Sequence, residues 1–469
     1  MKLKSKLFIL MTLAVVFFAQ ALPAFGATAV TEQALDLQAK AAIVMDAETG
    51  EILYQKNIDE KREPASTTKI VTCMLALEHL SPDQVITVDK KVTDMGSSID
   101  IEEGENFIVE DLLYGLMIAS GNDAAEALAY EIGGSIEKFC QMMDEKAKAC
   151  GAQNTHFRNP NGLNWKGQED HLTTARDLAL ITKEAMKNQM FRKIVSATKH
   201  TIPATNKSKE RKLVNSNRCL WQKKPIKLTF GDKETKKTVK FVPKYDGMIG
   251  VKTGSTSTAG GCLVGAVNRN GAELISVVLG SGQDGRFYDT NQLYDYVLEN
   301  FYETQTIVSE GQEMGKIRVK RGEVRHVTAV AEETAAITTR AGEGAPEVRT
   351  EFEAKETLDA PVSKGQRIGS IKVYIGNKLM SQTDAVAEDT VEEGGPLSYF
   401  GIPDWLALMI YIAVGLLVLI ILTLRFLGVS GRVKRRRQRR KRNASRRGRA
   451  AQAPISRGEL GRKRRKKHV

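Results

Sequence analysis

The 469-residue chain has no C-x-x-C pair and no H-E-x-x-H motif, and its six histidines are scattered. These absences remove the common zinc and dithiol-redox designs, so no metal site and no cofactor is expected. Its five cysteines, Cys73, Cys140, Cys150, Cys219 and Cys262, are an odd number, so at least one stays unpaired. Cys140 and Cys150 could pair, but if both lie on the helix expected from 136 they stand about 15 Å apart, too far for a bridge. No internal repeat is present. Acids are nearly missing from one end: residues 432–469 hold 19 Lys/Arg and a single acid, Glu459. That segment also lacks aromatics, so nucleic acid is not the expected partner, because single strands are held by interleaved stacking side chains.

What remains is globular in composition, 42% hydrophobic and 27% charged, which excludes disordered, collagen-like and disulfide-knot classes. The formal net charge of +13 is a local effect. Removing the +18 of residues 432–469 leaves −5 for residues 1–431, so the folded body is mildly acidic.

Two apolar runs set the expected compartment. Residues 1–27 begin with Lys2, Lys4 and Lys6, continue with an apolar stretch and end in Ala24, Gly26 and Ala27, the layout of a secretory signal peptide. Trp405–Leu424 is 20 residues without a charge. At about 1.5 Å per residue it covers a hydrocarbon core of roughly 30 Å, so a transmembrane helix is expected over 401–427. The basic tail, 428–469, should stay cytoplasmic and lie against lipid head groups, which places the region before the span outside a cell membrane.

Between these runs the pattern has two parts. Residues 40–55 read as two strands around a turn at Asp46–Gly50, and helical patterns follow at 66–80, 109–119, 124–132, 136–149 and 174–186. Strands return at 248–252, 261–267 and 273–279, the last two flanking an Asn270-Gly271 hairpin signal. This is an α/β domain over 35–303 whose sheet is closed by strands from both ends. Residues 206–245, rich in lysine, read as a surface insertion. Period-two alternation marks a small all-β domain over 304–380, and the acidic stretch 381–400 reads as a linker.

Three short motifs carry candidate chemistry. Ser66-Thr67-Thr68-Lys69 places a hydroxyl and an amine on one helix face, beside the N–H groups of a helix start. Such a lysine serves as a base if burial and a second cation hold it neutral. Ser120-Gly121-Asn122 follows a helix and presents a hydroxyl for proton transfer and a carboxamide for a substrate peptide group. Lys252-Thr253-Gly254-Ser255 ends a strand along which substrate backbone can lie as an added strand. The Ser66 and Ser255 amides can then form an oxyanion hole. Taken singly, each motif has an ordinary reading as an N-cap, a helix end or a strand end. Together and in this order, S-x-x-K, S-x-N and K-T-G form the pattern of penicillin-binding proteins and class A β-lactamases.

The sequence therefore resembles the low-molecular-mass penicillin-binding proteins, the serine D-alanyl-D-alanine carboxypeptidases of peptidase family S11, over about residues 36–380. Further matching stretches are Ala42–Asn57, Arg62–Thr72, Leu116–Ala125, Phe157–Leu163, His171–Leu180, Asn215–Trp221 and Gly247–Leu263. The resemblance implies an antiparallel sheet with a helical subdomain, followed by the small β domain. It also implies removal of the terminal D-Ala from peptidoglycan pentapeptides through a Ser66 acyl-enzyme, with Lys69 as base and Ser120 and Lys252 returning a proton. Asn122, Thr253, Gly254 and Ser255 would hold substrate, Arg286 would read its terminal carboxylate, and β-lactam antibiotics would acylate Ser66. Two other readings use the same residues: a class A-like β-lactamase, or a non-catalytic penicillin-sensing or wall-binding membrane module. No E-x-x-L-N segment for fast deacylation separates the second and third motifs, which speaks against the first.

Overall fold

Every residue of Ala41–Asp46 is buried, which a strand permits only when both faces of its sheet are covered. The structure, a computed structural model, describes residues 35–231, 236–342 and 346–450. The signal peptide expected at 1–27 and the final part of the basic tail lie outside the described residues. The chain divides into two compact units, the first comprising residues up to 310 with 333–351 and 371–383, the second 311–332, 352–370 and 384 onward.

In the first unit, β1 (Ala41–Asp46) and β2 (Ile52–Lys56) lead to a short 3₁₀ turn, Ala65–Thr68, and α1 (Lys69–His79). The strands β3 (Val85–Val88) and β4 (Glu105–Ile108) form a hairpin before α2 (Val109–Met117), α3 (Asn122–Gly133), α4 (Ile136–Ala149), α5 (Ala175–Ala185) and α6 (Gln189–Ser196). Two more hairpins follow, β5 (Lys199–Ile202) with β6 (Arg211–Val214) and β7 (Ile226–Phe230) with β8 (Lys237–Phe241). The chain then re-enters the main sheet as β9 (Met248–Thr256), β10 (Gly260–Arg269) and β11 (Ala272–Ser281), and ends it with α7 (Gly285–Phe301).

The main sheet is antiparallel, in the order β2-β1-β11-β10-β9. Period two sends Ala41, Ile43 and Met45 into one core with α1 to α6, and Ala42 and Val44 into another with Leu293, Tyr294 and Val297 of α7. Helix α7 was not expected from the sequence, where Arg286 reads only as following a strand. It starts at Gly285 and buries Phe287, Leu293, Tyr294 and Val297.

The block 206–245 is only partly a surface insertion. Asn215, Asn217 and Cys219 are buried within it. The two asparagine amides serve open backbone groups: Asn217 Nδ2 donates to the Gly250 carbonyl of the edge strand at 3.0 Å and Asn215 Nδ2 to the Ala197 carbonyl at the end of α6 at 2.8 Å. All five cysteines are free thiols.

The second unit carries β13 (Glu313–Lys320) and β14 (His326–Ala331), numbered after β12 (Tyr302–Val308) of the first unit. Strands β13 and β14 pair antiparallel, and Thr357–Asp359 pairs parallel to β13. Ile317, Val319, Val327, Ala329, Leu358, Val362, Ile368, Ala387 and Val391 fill the core of this unit. The acidic linker expected at 381–400 is corrected by this core. Ala385–Ala387 pair with Ala329–Ala331, and Val391 bridges Val362. Ala385, Val386 and Ala387 are a continuous buried run between the acids Asp384 and Glu388, so a short apolar segment inside the acidic stretch joins the sheet while Glu388 and Asp389 stay exposed. Helix Asp404–Ala450 follows, and residues 404–443 are long and apolar enough to cross a membrane by length and composition. The helix continues into the basic segment because Arg, Lys and Gln are good helix formers.

Candidate active site

The turn Ala65–Thr68 sets the geometry. In a 3₁₀ turn, residues three apart eclipse, so Ser66 and Lys69 project to the same side. Ala65 holds a positive φ of 49°, and Gly162 presses against it so closely that a Cβ there would lie 1.9 Å from the Ala65 carbonyl oxygen. Behind the turn, Arg158 N–H donates to His171 Nδ1 at 3.1 Å, which leaves Nε2 to donate to Thr68 Oγ1 at 2.9 Å. Burial holds the His171 imidazole neutral, with its pKa lowered to about 3.

Lys69 Nζ lies 2.9 Å from Ser66 Oγ, and Lys69 is fully buried. It donates to Asn122 Oδ1 at 2.6 Å and to the Asn161 carbonyl at 2.6 Å. A neutral amine has two N–H donors and one lone pair, and two carbonyl acceptors with one hydroxyl donor match that inventory. Burial, and then the charge of Lys252, hold its pKa well below the usual lysine range, while Asp123 and Glu126 oppose the shift. Glu126 accepts from Asn161 Nδ2 at 3.1 Å and from Thr93 N–H at 2.8 Å. Burial raises the pKa of its carboxyl.

Ser120 sits between α2 and α3 with a φ of 66°. That uncommon conformation in a non-glycine residue is of the kind concentrated at functional sites. Lys252, in β9 and 1% exposed, donates from Nζ to Ser120 Oγ at 2.9 Å and to the Thr253 carbonyl at 2.9 Å. Burial, then the Arg286 charge, lower its pKa to about 7. The serine of each of the first two motifs therefore faces its own buried lysine.

Strand β9 closes the other side. A Cβ on Gly254 would stand 3.0 Å from the Pro64 carbonyl and 3.1 Å from the Ser66 nitrogen, so glycine brings the strand against the turn. Thr253 Oγ1 is 2.6 Å from Ser216 Oγ, and Ser255, exposed, accepts from Gln283 Nε2. Arg286 is 9% exposed and donates from Nη1 to the Gly254 carbonyl at 2.8 Å, while its buried Nε has no partner. The nine residues singled out in the sequence thus fall on one turn (Ser66), one loop (Ser120), one strand (Lys252–Ser255) and the starts of three helices (Lys69, Asn122 and Arg286). Asn122 is placed differently from the sequence expectation: its oxygen is taken by Lys69 and one amide hydrogen by the Met95 carbonyl, at 2.7 Å. Only its second amide hydrogen is left for substrate.

Sequence reasoning missed Asn161, Glu126, Ser216 and His171 as members of the site. Asn161 contributes a backbone carbonyl, which no residue letter reports. Its stretch, Phe157–Leu163, was visible only as a matching segment.

Comparison with known proteins finds likenesses over most of the chain. A family described as D-alanyl-D-alanine carboxypeptidase matches residues 28–238, and one described as penicillin-binding protein 5, C-terminal domain, matches residues 302–393. The chain is 32% identical over 377 residues to D-alanyl-D-alanine carboxypeptidase DacF of Bacillus subtilis, covering 78% of this chain and 90% of the relative. It is 32% identical over 393 residues to D-alanyl-D-alanine carboxypeptidase DacC of Escherichia coli, covering 79% and 88%. A crystal structure of penicillin binding protein 5 from Haemophilus influenzae is also similar, at 28% identity and a TM-score of 0.49, covering 77% of this chain and 99% of that one.

Proposed function

Because this chain belongs to the D-alanyl-D-alanine carboxypeptidase family of serine peptidases, we propose that Ser66 is the nucleophile that cleaves the D-Ala-D-Ala bond of peptidoglycan pentapeptides. The chain is a D-alanyl-D-alanine carboxypeptidase; the β-lactamase and non-catalytic readings are not favoured, since its relatives are named for the peptidase reaction. The observation that carries the residue assignment is the 2.9 Å approach of the buried Lys69 amine to Ser66 Oγ.

Ser66 Oγ attacks the carbonyl carbon of the penultimate D-Ala while its proton passes to the Lys69 lone pair. The Ser66 and Ser255 amides receive the developing oxyanion. As the C–N bond breaks, Lys252 supplies a proton through Ser120 to the departing amine, and D-Ala leaves. Water then attacks the acyl-enzyme and returns Ser66. Arg286 and Lys252 supply positive charge for the terminal carboxylate, with Thr253 and Ser255 as hydroxyl donors and the edge of β9 as a backbone partner. β-Lactam antibiotics acylate the same hydroxyl and leave slowly.

The enzyme is held by one membrane span, Trp405–Leu424, with the catalytic unit outside the cell membrane and the basic segment on the cytoplasmic side. Release of D-Ala from a D-Ala-D-Ala pentapeptide by the full chain, and its loss in Ser66→Ala, tests the assignment. Undiminished release by Ser66→Ala would overturn it.

A further inference from the structure

The second unit contains a cluster of cations that the peptidase reaction does not use. It arises from the run Arg318-Val319-Lys320-Arg321-Gly322-Glu323-Val324-Arg325. On β13 the pleat sends Ile317 and Val319 into the core and leaves Arg318 and Lys320 together on the outer face. Arg321, with a φ of 60°, turns the chain, and Arg325 returns beside Val319, whose N–H donates to the Arg325 carbonyl at 2.7 Å. Among the described residues Arg318, Lys320 and Arg325 are exposed and have no ion pair or hydrogen-bond partner for their cationic groups, while Arg321 pairs with Asp359 at 3.3 Å.

These four cations line a cavity of about 480 Å³, in which Asp359 is the single lining acid. That volume suits a small polar ligand. The wall opposite is the turn Ser398–Phe400. Ser398 is 3% exposed and lines this cavity, yet its buried Oγ has no hydrogen-bond partner. Buried hydroxyls are rarely left unpaired, so this one is available to a ligand oxygen. Beside it, Tyr399 and Phe400 are 66% and 80% exposed. The lining ends at Gly401, and through Ile402-Pro403 the chain enters the apolar helix at Asp404. Exposed aromatics next to the start of a span belong at head-group depth.

We propose that this cavity binds the phosphate of an anionic lipid head group next to the membrane span, with Arg318, Lys320, Arg321 and Arg325 supplying the positive charge and Ser398 Oγ a hydrogen bond. The unpaired guanidinium groups of Arg318 and Arg325 suit a phosphate oxygen, and two features select a lipid phosphodiester over a free anion: an adjoining pair of exposed aromatic rings for the glycerol and upper acyl chain, and continuity with the span. The inference rests on reading Trp405–Leu424, within the helix that starts at Asp404, as a membrane span, and it gives the β unit a role in seating the enzyme at the bilayer surface.

The test is binding of short-chain dihexanoyl-phosphatidylglycerol to the full chain in neutral detergent, compared with Arg318→Gln/Lys320→Gln/Arg325→Gln. Wild type and variant keep the same basic tail, so the difference reports the cavity. Since a surface cation is worth about 1 kcal/mol toward anionic lipid, the triple variant is expected to bind at least tenfold more weakly. The single changes Lys320→Gln and Arg325→Gln, at exposed positions, are expected to lose about fivefold each by the same arithmetic. They keep the test decisive if the triple variant fails to fold. Dihexanoyl-phosphatidylcholine should bind neither protein measurably. Equal affinity of wild type and variants for phosphatidylglycerol, or equal binding of the two lipids, overturns the proposal. Displacement of the lipid by an equal concentration of inorganic phosphate assigns the cavity to the free anion and overturns the lipid assignment. Alkaline extraction of membranes reports separately on the span: release of the chain refutes that reading, while the short-chain lipid, which needs no bilayer, still decides the cavity.

Discussion

Lys69 Nζ and Ser66 Oγ lie 2.9 Å apart across one 3₁₀ turn, with the amine fully enclosed and the hydroxyl at the edge of the cleft. Enclosure disfavours the ammonium form, and the nearby Lys252 disfavours it further. The two lysines are therefore unlike: the one beside Ser66 is poised to take a proton, and the one beside Ser120, with a pKa lowered to about 7, still carries a proton on the acid side of neutrality.

Lys252 fixes the alkaline side of the pH profile. If its ammonium is needed for the carboxylate and for the leaving group, kcat/KM falls as pH rises through about 7. Lys252→Arg, whose charge does not titrate, should move that limb to higher pH even where it lowers the maximum. Folding stability gives an independent readout. A lysine with a depressed folded pKa is protonated in the unfolded chain but not in the folded one between about 7 and its ordinary value near 10.4. Wild-type stability therefore rises over that window, and Lys252→Met should flatten the rise in thermal-unfolding series. An unchanged slope would contradict the assignment.

Glu126 works in the opposite direction. Its charge favours protonation of Lys69, so Glu126→Gln should lower the Lys69 pKa further. The acid limb of penicillin acylation then moves to lower pH, measured as the second-order acylation rate against pH. A limb that stays in place, or moves up, would show that the carboxyl has no electrostatic hold on the base.

Arg286 should discriminate by charge. Loss of a charged hydrogen bond costs about 1.5–3 kcal/mol, so Arg286→Gln should lower kcat/KM for a D-Ala-D-Ala peptide roughly tenfold to a hundredfold. The same peptide with its C-terminal carboxylate amidated should respond to the substitution hardly at all. Equal losses on both substrates would reduce Arg286 to a prop for the Gly254 carbonyl, to which it donates at 2.8 Å.

Gly162 is required by the turn that holds the nucleophile. At φ 83° and with a Cβ position 1.9 Å from the Ala65 carbonyl oxygen, Gly162→Ala must displace the turn. Left-handed strain alone costs about 1–3 kcal/mol, and the clash adds to it. Lower thermal stability with nearly abolished penicillin acylation is expected. Wild-type acylation in this variant would show that the turn tolerates the shift.

Much of the chemistry was legible because it is written in side chains at fixed spacing. Ser66 and Lys69 three apart, Ser120 after a helix, and Lys252 on a strand can be read letter by letter. The helix expected over 136–149 is the helix Ile136–Ala149, because its apolar stripe and its Ser135 cap are both local signals. What was not legible is non-local. The carbonyl of Asn161 reaches Lys69 from 92 residues away, and the pairing of Glu126 with Asn161 depends on two segments meeting. The acidic stretch after 380 misled for another reason: its net charge hid the short apolar run Ala385-Val386-Ala387 that β14 pairs with. Likewise, Asn215 and Asn217 sit in a lysine-rich stretch that reads as exposed, yet their buried amides donate to backbone carbonyls.

The most direct test of the central claim is to treat the full chain with a labelled penicillin at pH 7, digest it, and locate the label by mass spectrometry, in wild type and in Lys69→Gln. The label is expected on the Ser66 hydroxyl in wild type, with an acylation rate about 10²–10⁴ times slower in the variant, the usual cost of removing a general base. Label on another residue, or a Lys69→Gln rate within a few fold of wild type, would contradict the account.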